Sequence, residues 1–216
     1  MLYLDSADRA QLAPLLATGL FAGVTTNPTI LDRAGLGPAD LPDVIAWVRE
    51  QGVSRFYAQA TGRTLEELRH SAGVIAELGD DVVTKFVATR LGLTVAKEQV
   101  DAGRQVLITA VYHPAQALVA AAAGAQEIAP YVGRATEKGR DGIALVSTIA
   151  RIAPSVRVLA ASLRSADQVA EVAAAGAHDL TVSTAVASAL LEDSLTVTAA
   201  DEFEEIVAAG AKVAQR

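Results

Sequence analysis

The sequence has no cysteine, and this absence removes several classes of chemistry at once. Disulfides, thiolate nucleophiles, cysteine–zinc sites and iron–sulfur clusters are excluded, and the chain is compatible with a reducing cytoplasm, where we expect it to reside. Histidine is also scarce: His70, His113 and His178 are far apart and form no metal-binding motif. We therefore predict no metal and no cofactor.

Positive charge and aromatic side chains are in short supply as well. The formal net charge is -7, and nine aromatic residues are too few to build a base-stacking surface, so we expect no nucleic-acid partner. The amino terminus shows no basic stretch before an apolar one, so no signal peptide is expected. The longest uncharged stretch, between Arg104 and Glu127, is better explained as a strand and a helix than as a membrane span.

Short apolar runs alternate regularly with longer, alanine-rich helical runs. The short runs predict eight strands, at Leu2–Asp5, Gly23–Thr25, Arg55–Gln59, Val82–Phe86, Val106–Thr109, Glu127–Pro130, Val156–Ala160 and Asp179–Val182. Strict β–α alternation favours a parallel sheet, and the eight units fit a single α/β domain over residues 1–216, a closed (β/α)8 TIM barrel. An open doubly wound sheet is the alternative, but the glycine-rich nucleotide signatures of such folds are missing.

A ninth helical pattern follows the eighth unit and predicts a C-terminal helical extension at residues 196–216. Phe203, Ile206, Val207 and Val213 share its apolar face, and glutamates lie opposite. Because the barrel does not need this helix, it could pack on its own barrel or on a neighbouring subunit, and the sequence leaves both possibilities open.

Polar residues stand at the exits of the predicted strands, where barrels of this kind have their active sites. These candidates are Asp5, Thr25, Asn27, Gln59, Lys85, Thr109, Tyr131, Arg134 and Ser162. Each of them alone could be a capping or turn residue. Closure of the barrel would bring them all to one rim, so the set predicts a polar site there.

Lys85 is the most informative candidate, because it lies inside the apolar run Val82–Ala88. A buried lysine is costly unless it is paired or loses its proton, and a neutral amine is a nucleophile for carbonyl carbon. This favours a Schiff-base lysine. A structural salt bridge, or a side chain that reaches solvent at the strand end, is the alternative.

Three other candidates have plausible chemical roles and ordinary alternatives. Asp5 could pair with Lys85 or move protons at a substrate hydroxyl, but it could also cap the following helix. Arg134 and Ser162 could bind a phosphate, although Arg134 could equally be a surface charge.

The G-x-S-x-G motif of the common α/β hydrolases is absent, which argues against a serine nucleophile.

Five stretches carry a resemblance to a known family: Leu2–Asp5, Gly23–Pro28, Thr109–Tyr112, Ala129–Arg134 and Leu159–Ser162. On these residues, and over nearly its whole length, the chain resembles the small transaldolase-like family that includes bacterial fructose-6-phosphate aldolase. The resemblance implies a (β/α)8 barrel that acts on a sugar phosphate without a cofactor. It also implies a homo-oligomer, commonly a decamer, in which the C-terminal helix reaches a neighbour.

The resemblance also implies a role for each candidate. Lys85 would form the Schiff base with the substrate ketone, and Asp5 would assist proton transfer and orient the substrate hydroxyls. Thr25 and Asn27 would hold the ketose near the imine. The other five would hold a proton-shuttling water (Gln59, Thr109, Tyr131) and the phosphate of the aldehyde half (Arg134, Ser162).

Two positions bear on the type of reaction. In the family that this chain resembles, transaldolases tend to carry glutamate in place of Gln59 and phenylalanine in place of Tyr131. A phenol can pass protons through water and a phenyl ring cannot, so this pair favours an aldolase that releases dihydroxyacetone. A transaldolase and a non-catalytic sugar-phosphate binder are the alternatives.

Three departures from the family pattern lie beside the expected site. Val87 stands where the family usually has proline, Arg90 where glutamate is common, and His113 where a small residue is usual. They leave the proposed catalytic set intact. They leave the substrate open, because a sulfonate or an unphosphorylated sugar at the Arg134 end also fits.

Overall fold

The computed structural model describes residues 1–213, with side chains described through residue 209. Eight parallel strands form a barrel in chain order, and β1 pairs with both β2 and β8, which closes it. The strands are β1 Leu2–Asp5, β2 Gly23–Thr25, β3 Phe56–Gln59, β4 Val82–Val87, β5 Val106–Val111, β6 Glu127–Pro130, β7 Arg157–Ala160 and β8 Asp179–Val182. The predicted (β/α)8 barrel is confirmed, and the open doubly wound alternative is wrong.

Helices form the outer layer of the barrel. In chain order they are α1 Arg9–Leu16, α2 Pro28–Arg33, α3 Leu41–Glu50, α4 Leu65–Ala76, α5 Arg90–Asp101, α6 Ala115–Ala122, α7 Val132–Glu137, α8 Gly142–Ile152, α9 Ala166–Ala174, α10 Thr184–Leu191 and α11 Ser194–Val213. Their starts follow local sequence signals. Thr64 and Glu67 form a reciprocal capping box at α4, with Glu67 N donating to Thr64 Oγ1 (3.2 Å).

The barrel separates two apolar cores. The larger core lies between the strands and the helices, and the smaller one fills the barrel interior with Tyr3, Tyr57, Val83, Leu107 and Leu159 among its members. Because side chains alternate along a strand, every second residue of each strand faces inward. The packed interior forms a floor, so the inward residues just above it line the carboxyl end of the barrel.

Ion pairs close the opposite, amino-terminal end of the barrel. Arg55 binds Glu127 (2.6 Å), and Arg157 binds Asp179 (2.8 Å), in each case with a carboxylate that is buried. Contacts at this end of such a barrel serve stability, whereas catalysis takes place at the carboxyl end. The rim where β1–β8 end is therefore the part of the fold where a catalytic site is expected.

The C-terminal helix α11 begins at Ser194, slightly before the predicted boundary at residue 196. Phe203, Ile206 and Val207 on its predicted apolar face are 65%, 69% and 66% exposed, so this face does not pack on its own barrel. The side chain of Val213 and residues 214–216 lie outside the described part of the chain. In residues 1–213, no helix has both the length and the apolar character needed to cross a membrane.

Candidate active site

A cavity of about 180 Å³ opens at the carboxyl ends of the strands. Six of the nine predicted site residues line it: Asp5, Asn27, Lys85, Tyr131, Arg134 and Ser162. The other three do not line the cavity, but each adjoins a residue that does: Thr25 is hydrogen-bonded to Asp5, Thr109 is hydrogen-bonded to Tyr131, and Gln59 is the register neighbour of Lys85 in the sheet. The strand-exit rule, by which polar residues at the carboxyl ends of barrel strands are taken as site candidates, therefore selected residues that surround one site.

Lys85 projects into the barrel because it lies on the inward face of β4, two residues after Val83 of the interior core. It is only 4% exposed, and its Nζ donates a hydrogen bond to the carbonyl oxygen of Thr26 (2.9 Å). Within residues 1–213 its amine makes no salt bridge. Burial lowers the pKa of Lys85, and the negative charge of Asp5 opposes that shift in part. The site therefore favours a neutral amine.

Asp5 ends β1 and lies beside Lys85 at the cavity wall. Its Oδ1 accepts a hydrogen bond from Thr25 Oγ1 (2.6 Å). Burial raises the pKa of Asp5, while the charge of Lys85, the Thr25 bond and the charge of Arg134 act in the opposite direction. The following helix is capped by Asp8, whose Oδ1 accepts from Ala10 N (2.9 Å). Asp5 is therefore not the cap.

Asn27 and Thr25 have different surroundings, although both stand at the carboxyl end of β2. Asn27 caps α2, because its Oδ1 accepts from Ile30 N (3.1 Å), and this leaves its side-chain NH₂ for the cavity. Thr25 is fully buried, and its hydroxyl lies between Asp5 and Thr181 Oγ1 (2.7 Å). Thr25 thus contacts Asp5 rather than the cavity.

Tyr131 is held by contacts on several sides. Thr109 Oγ1 donates to its hydroxyl (3.3 Å), the Arg134 guanidinium lies 5.1 Å from its ring centroid, and Tyr112 packs edge-on against it. Burial raises the pKa of Tyr131, so its phenol stays protonated and can donate. Thr109 faces inward ahead of a register shift in β5, where Ala110 takes a positive φ of 55°.

Gln59 stands next to Lys85 in the sheet. The two residues are paired in register on β3 and β4, so their side chains point to the same face of the sheet. Gln59 is half-buried and lies outside the cavity lining. Gln59 therefore adjoins the cavity only through its strand neighbour Lys85.

Arg134 and Ser162 form the far end of the cavity. Ser162 adopts a left-handed backbone (φ 61°), its Oγ accepts from Arg134 N (3.3 Å), and its carbonyl oxygen accepts from Gly133 N (2.9 Å). A Cβ at Gly133 would lie 2.3 Å from that carbonyl oxygen, so only glycine permits this approach. In residues 1–213 Arg134 has no carboxylate partner, which leaves its guanidinium for an anion.

Five polar residues that line the cavity were not among the predicted site residues: Thr29, Arg33, Arg164, Thr181 and Ser183. Thr181 could have been found from its inward position on β8, two residues after Asp179. Arg164 follows Ser162 by two residues and is paired with Glu137, whereas Arg33 ends α2, a helix that the sequence pattern does not reveal. The site is thus more cationic than predicted.

The three departures from the family pattern lie outside the cavity lining. Val87 ends β4, Arg90 is exposed at the start of α5, and His113 is exposed, with Nδ1 accepting from Ala115 N (3.2 Å). Side chains of His, Asp and Glu in the described part of the chain form no cluster that could hold a metal ion. The chemistry available at the rim is that of an amine, a carboxyl, a phenol and guanidinium groups.

The fold and the site together define a (β/α)8 barrel protein with a buried lysine in a polar cavity at the carboxyl ends of its strands. The sequence profile described as "Transaldolase/Fructose-6-phosphate aldolase" matches residues 2–215. The chain belongs to this family, as the resemblance implied, and it is an enzyme of this family.

Individual relatives agree with this assignment. Proteins named "Probable transaldolase" from Phenylobacterium zucineum (35% identical, covering 94% of each chain) and Caulobacter vibrioides (34%, also 94% of each chain) are similar to it. A third, from Rhodospirillum centenum, is 36% identical over 93% of this chain and 88% of its own. A FabK mutant from Thermotoga maritima shares the fold, with a TM-score of 0.57, 18% identity, and coverage of 84% of this chain and 60% of that one.

Proposed function

We propose that the protein is a cofactor-free, class I (Schiff-base) aldolase that cleaves or forms a ketose phosphate such as fructose 6-phosphate. The observation that carries the proposal is the buried Lys85 amine, whose pKa is lowered by burial, in one cavity with Asp5 and Tyr131. Desolvation makes a lysine nucleophilic toward carbonyl carbon, and arginine could not replace it because it stays protonated.

The proposed reaction begins with attack of the Lys85 amine on the ketone carbon (C2). The C2 oxygen then takes up a proton and leaves as water, which gives an iminium ion. Asp5 removes the proton of the C4 hydroxyl. The C3–C4 bond breaks, its electron pair enters the iminium to form an enamine, and glyceraldehyde 3-phosphate leaves. Protonation of C3 and hydrolysis of the resulting imine then release dihydroxyacetone and restore the amine.

The cationic end of the cavity supports a phosphorylated substrate. Arg134 and Ser162 lie after β6 and β7, and a phosphate near the end of strand 7 is a frequent arrangement in these barrels. Arg164 lines the same end and Arg33 the same cavity. We propose that the phosphate of the aldehyde half binds between Arg134 and Ser162, with guanidinium and hydroxyl donors.

Tyr131 supports release of free dihydroxyacetone rather than transfer of the dihydroxyacetone unit to an acceptor aldehyde. The enamine must receive a solvent-derived proton, and a protonated phenol held by Thr109 next to the cavity can relay one through water. The second candidate is a transaldolase, which keeps the enamine until an acceptor aldehyde arrives. The printed name "Probable transaldolase" of the relatives favours this candidate.

Incubation with fructose 6-phosphate alone separates the two candidates. An aldolase releases dihydroxyacetone for many turnovers, whereas a transaldolase stops after about one equivalent per active site until erythrose 4-phosphate is added. Tyr131→Phe should lower acceptor-free cleavage by about 10²-fold, within the usual range for a lost acid–base group, and should leave transfer less affected. An unchanged ratio of transfer to cleavage would contradict the role of Tyr131.

We also propose that the protein is a homo-oligomer, and a decamer by family resemblance. The exposed apolar face of α11, with Phe203, Ile206 and Val207, supports burial against a second copy. Light scattering should give a mass near ten times the 22.3 kDa chain, and Ile206→Glu should reduce that mass. A monomeric wild-type protein would overturn this proposal.

A further inference from the structure

We propose that Thr181 is a positioning residue for the Asp5 carboxylate and that it acts through Thr25. The three residues lie on adjacent strands, because β1 is flanked by β2 and β8. Thr25 Oγ1 lies 2.6 Å from Asp5 Oδ1 and 2.7 Å from Thr181 Oγ1. Thr181 is 3% exposed and Thr25 is fully buried, so this chain of hydroxyls is shielded from bulk water.

Counting hydrogens fixes the direction of the chain. An ionised carboxylate can only accept, and a threonine hydroxyl has a single hydrogen to donate. When Asp5 is ionised, Thr25 must give its hydrogen to Asp5, so the short contact with Thr181 requires Thr181 to donate to Thr25. The bonds therefore run from Thr181 to Thr25 to Asp5.

This direction has a consequence for catalysis. A hydroxyl that accepts one hydrogen bond donates a stronger one, so Thr181 strengthens the bond from Thr25 to Asp5 Oδ1. Among residues 1–209, whose side chains the structure describes, no side chain or backbone N–H donates to the other carboxylate oxygen, Oδ2. Thr181 thus favours the ionised form of Asp5 and holds it with Oδ2 available to a substrate hydroxyl. This inference rests on the proposed function, in which Asp5 accepts that proton.

The charged and titratable groups facing Asp5 are Lys85 from β4, Arg134 from α7, Arg33 from α2 and the phenol of Tyr131. A change at Thr181 leaves all four in place. A shift in the titration of Asp5 after that change would therefore be caused by loss of the hydroxyl chain.

The test compares Thr181→Val, which keeps the shape of the side chain, with Thr181→Ser, which keeps the hydroxyl. We expect kcat for acceptor-free cleavage to fall about tenfold in T181V, as for loss of one hydrogen bond to a charged network, and the acid limb of the kcat–pH profile to move to higher pH. This profile reports the substrate complex, in which Lys85 is already an imine. T181S should restore both values.

Thr84→Val is the matched control, because Thr84 is a buried threonine of β4 that lies on the outward face of the barrel. Its acid limb should coincide with that of the wild type. Thr181→Ala provides a second variant without the hydroxyl if T181V does not fold, and the same shift is expected.

Two results would overturn the inference: an acid limb that does not move when the Thr181 hydroxyl is removed, or a T181S variant that behaves like T181V. Borohydride trapping separates this failure from failure of the proposed function. If wild-type Lys85 forms no adduct with the ketose, the proposed function itself is wrong. If it forms the adduct and the limb does not move, only the role of Thr181 is wrong.

Discussion

Replacing Lys85 with methionine should abolish turnover, with a loss of at least about 10⁴-fold in kcat/KM, because no other side chain can take the place of a covalent nucleophile. Wild-type protein incubated with fructose 6-phosphate and borohydride should gain the mass of the reduced adduct on Lys85. The K85M variant should gain none. Lys97→Met is the matched control, since Lys97 is an exposed lysine paired with Asp101 on α5, and it should keep full activity.

The same substitution should stabilise the fold at neutral pH. Burial lowers the pKa of Lys85, so the unfolded chain binds more protons than the folded one between the folded and unfolded pKa values. Stability therefore rises with pH through that window, and below it the buried amine costs the folded state free energy. Methionine fills similar space without that cost, so we expect a higher Tm for K85M near pH 7.

A stable but inactive K85M protein would exclude unfolding as the reason for the loss. Turnover by K85M at the wild-type rate would contradict the Schiff-base proposal. A borohydride adduct on another lysine of the wild-type protein would contradict it as well. An unstable K85M protein would instead indicate that the bond from Lys85 to the Thr26 carbonyl supports the fold.

The barrel could be predicted from the sequence because buried parallel strands are nearly continuous apolar runs. The predicted strand bounds lie within two residues of the observed ones. The helices α2 and α7 are not evident from the sequence, since six residues are too few to show helical periodicity. They matter here because α2 carries Arg33 and α7 carries Arg134.

The site was predicted less completely than the fold, for a physical reason. The strand-exit rule identifies residues by position along a strand, and it found Lys85 because a charged residue in an apolar run is conspicuous. It cannot tell that the Lys85 amine bonds to a backbone carbonyl, since every residue has one. It likewise could not tell that the Thr25 hydroxyl faces Asp5 and Thr181, because a threonine suits both a cavity wall and a buried contact.

The Asp5→Asn variant should separate imine formation from bond cleavage. Asparagine keeps the shape of the side chain but cannot accept the C4 hydroxyl proton, so kcat should fall by about 10²–10⁴-fold. The negative charge of Asp5 raises the pKa of Lys85, and its removal should lower that pKa further. Borohydride trapping should therefore still give the Lys85 adduct, and trapping should extend to lower pH than in the wild type.

Stability should change in the opposite direction to activity. Burial raises the pKa of Asp5, so the folded state binds more protons than the unfolded chain between the unfolded and folded pKa values. Ionisation of Asp5 therefore lowers the stability of the folded state as pH rises through that window. Asparagine does not ionise, so the variant keeps that stability. We expect D5N to have a higher Tm than the wild type near pH 7 and an equal one in acid.

Asp8→Asn is the matched control for this variant. Asp8 lies three residues further along the chain, so this variant makes the same chemical change at a neighbouring aspartate. Asparagine caps a helix as well as aspartate does, so activity should persist. Loss of the Lys85 adduct in D5N would show that Asp5 is needed before imine formation rather than after it. Unchanged kcat in D5N would mean that another group accepts the proton, and the pairing of Asp5 with Thr25 would then be structural.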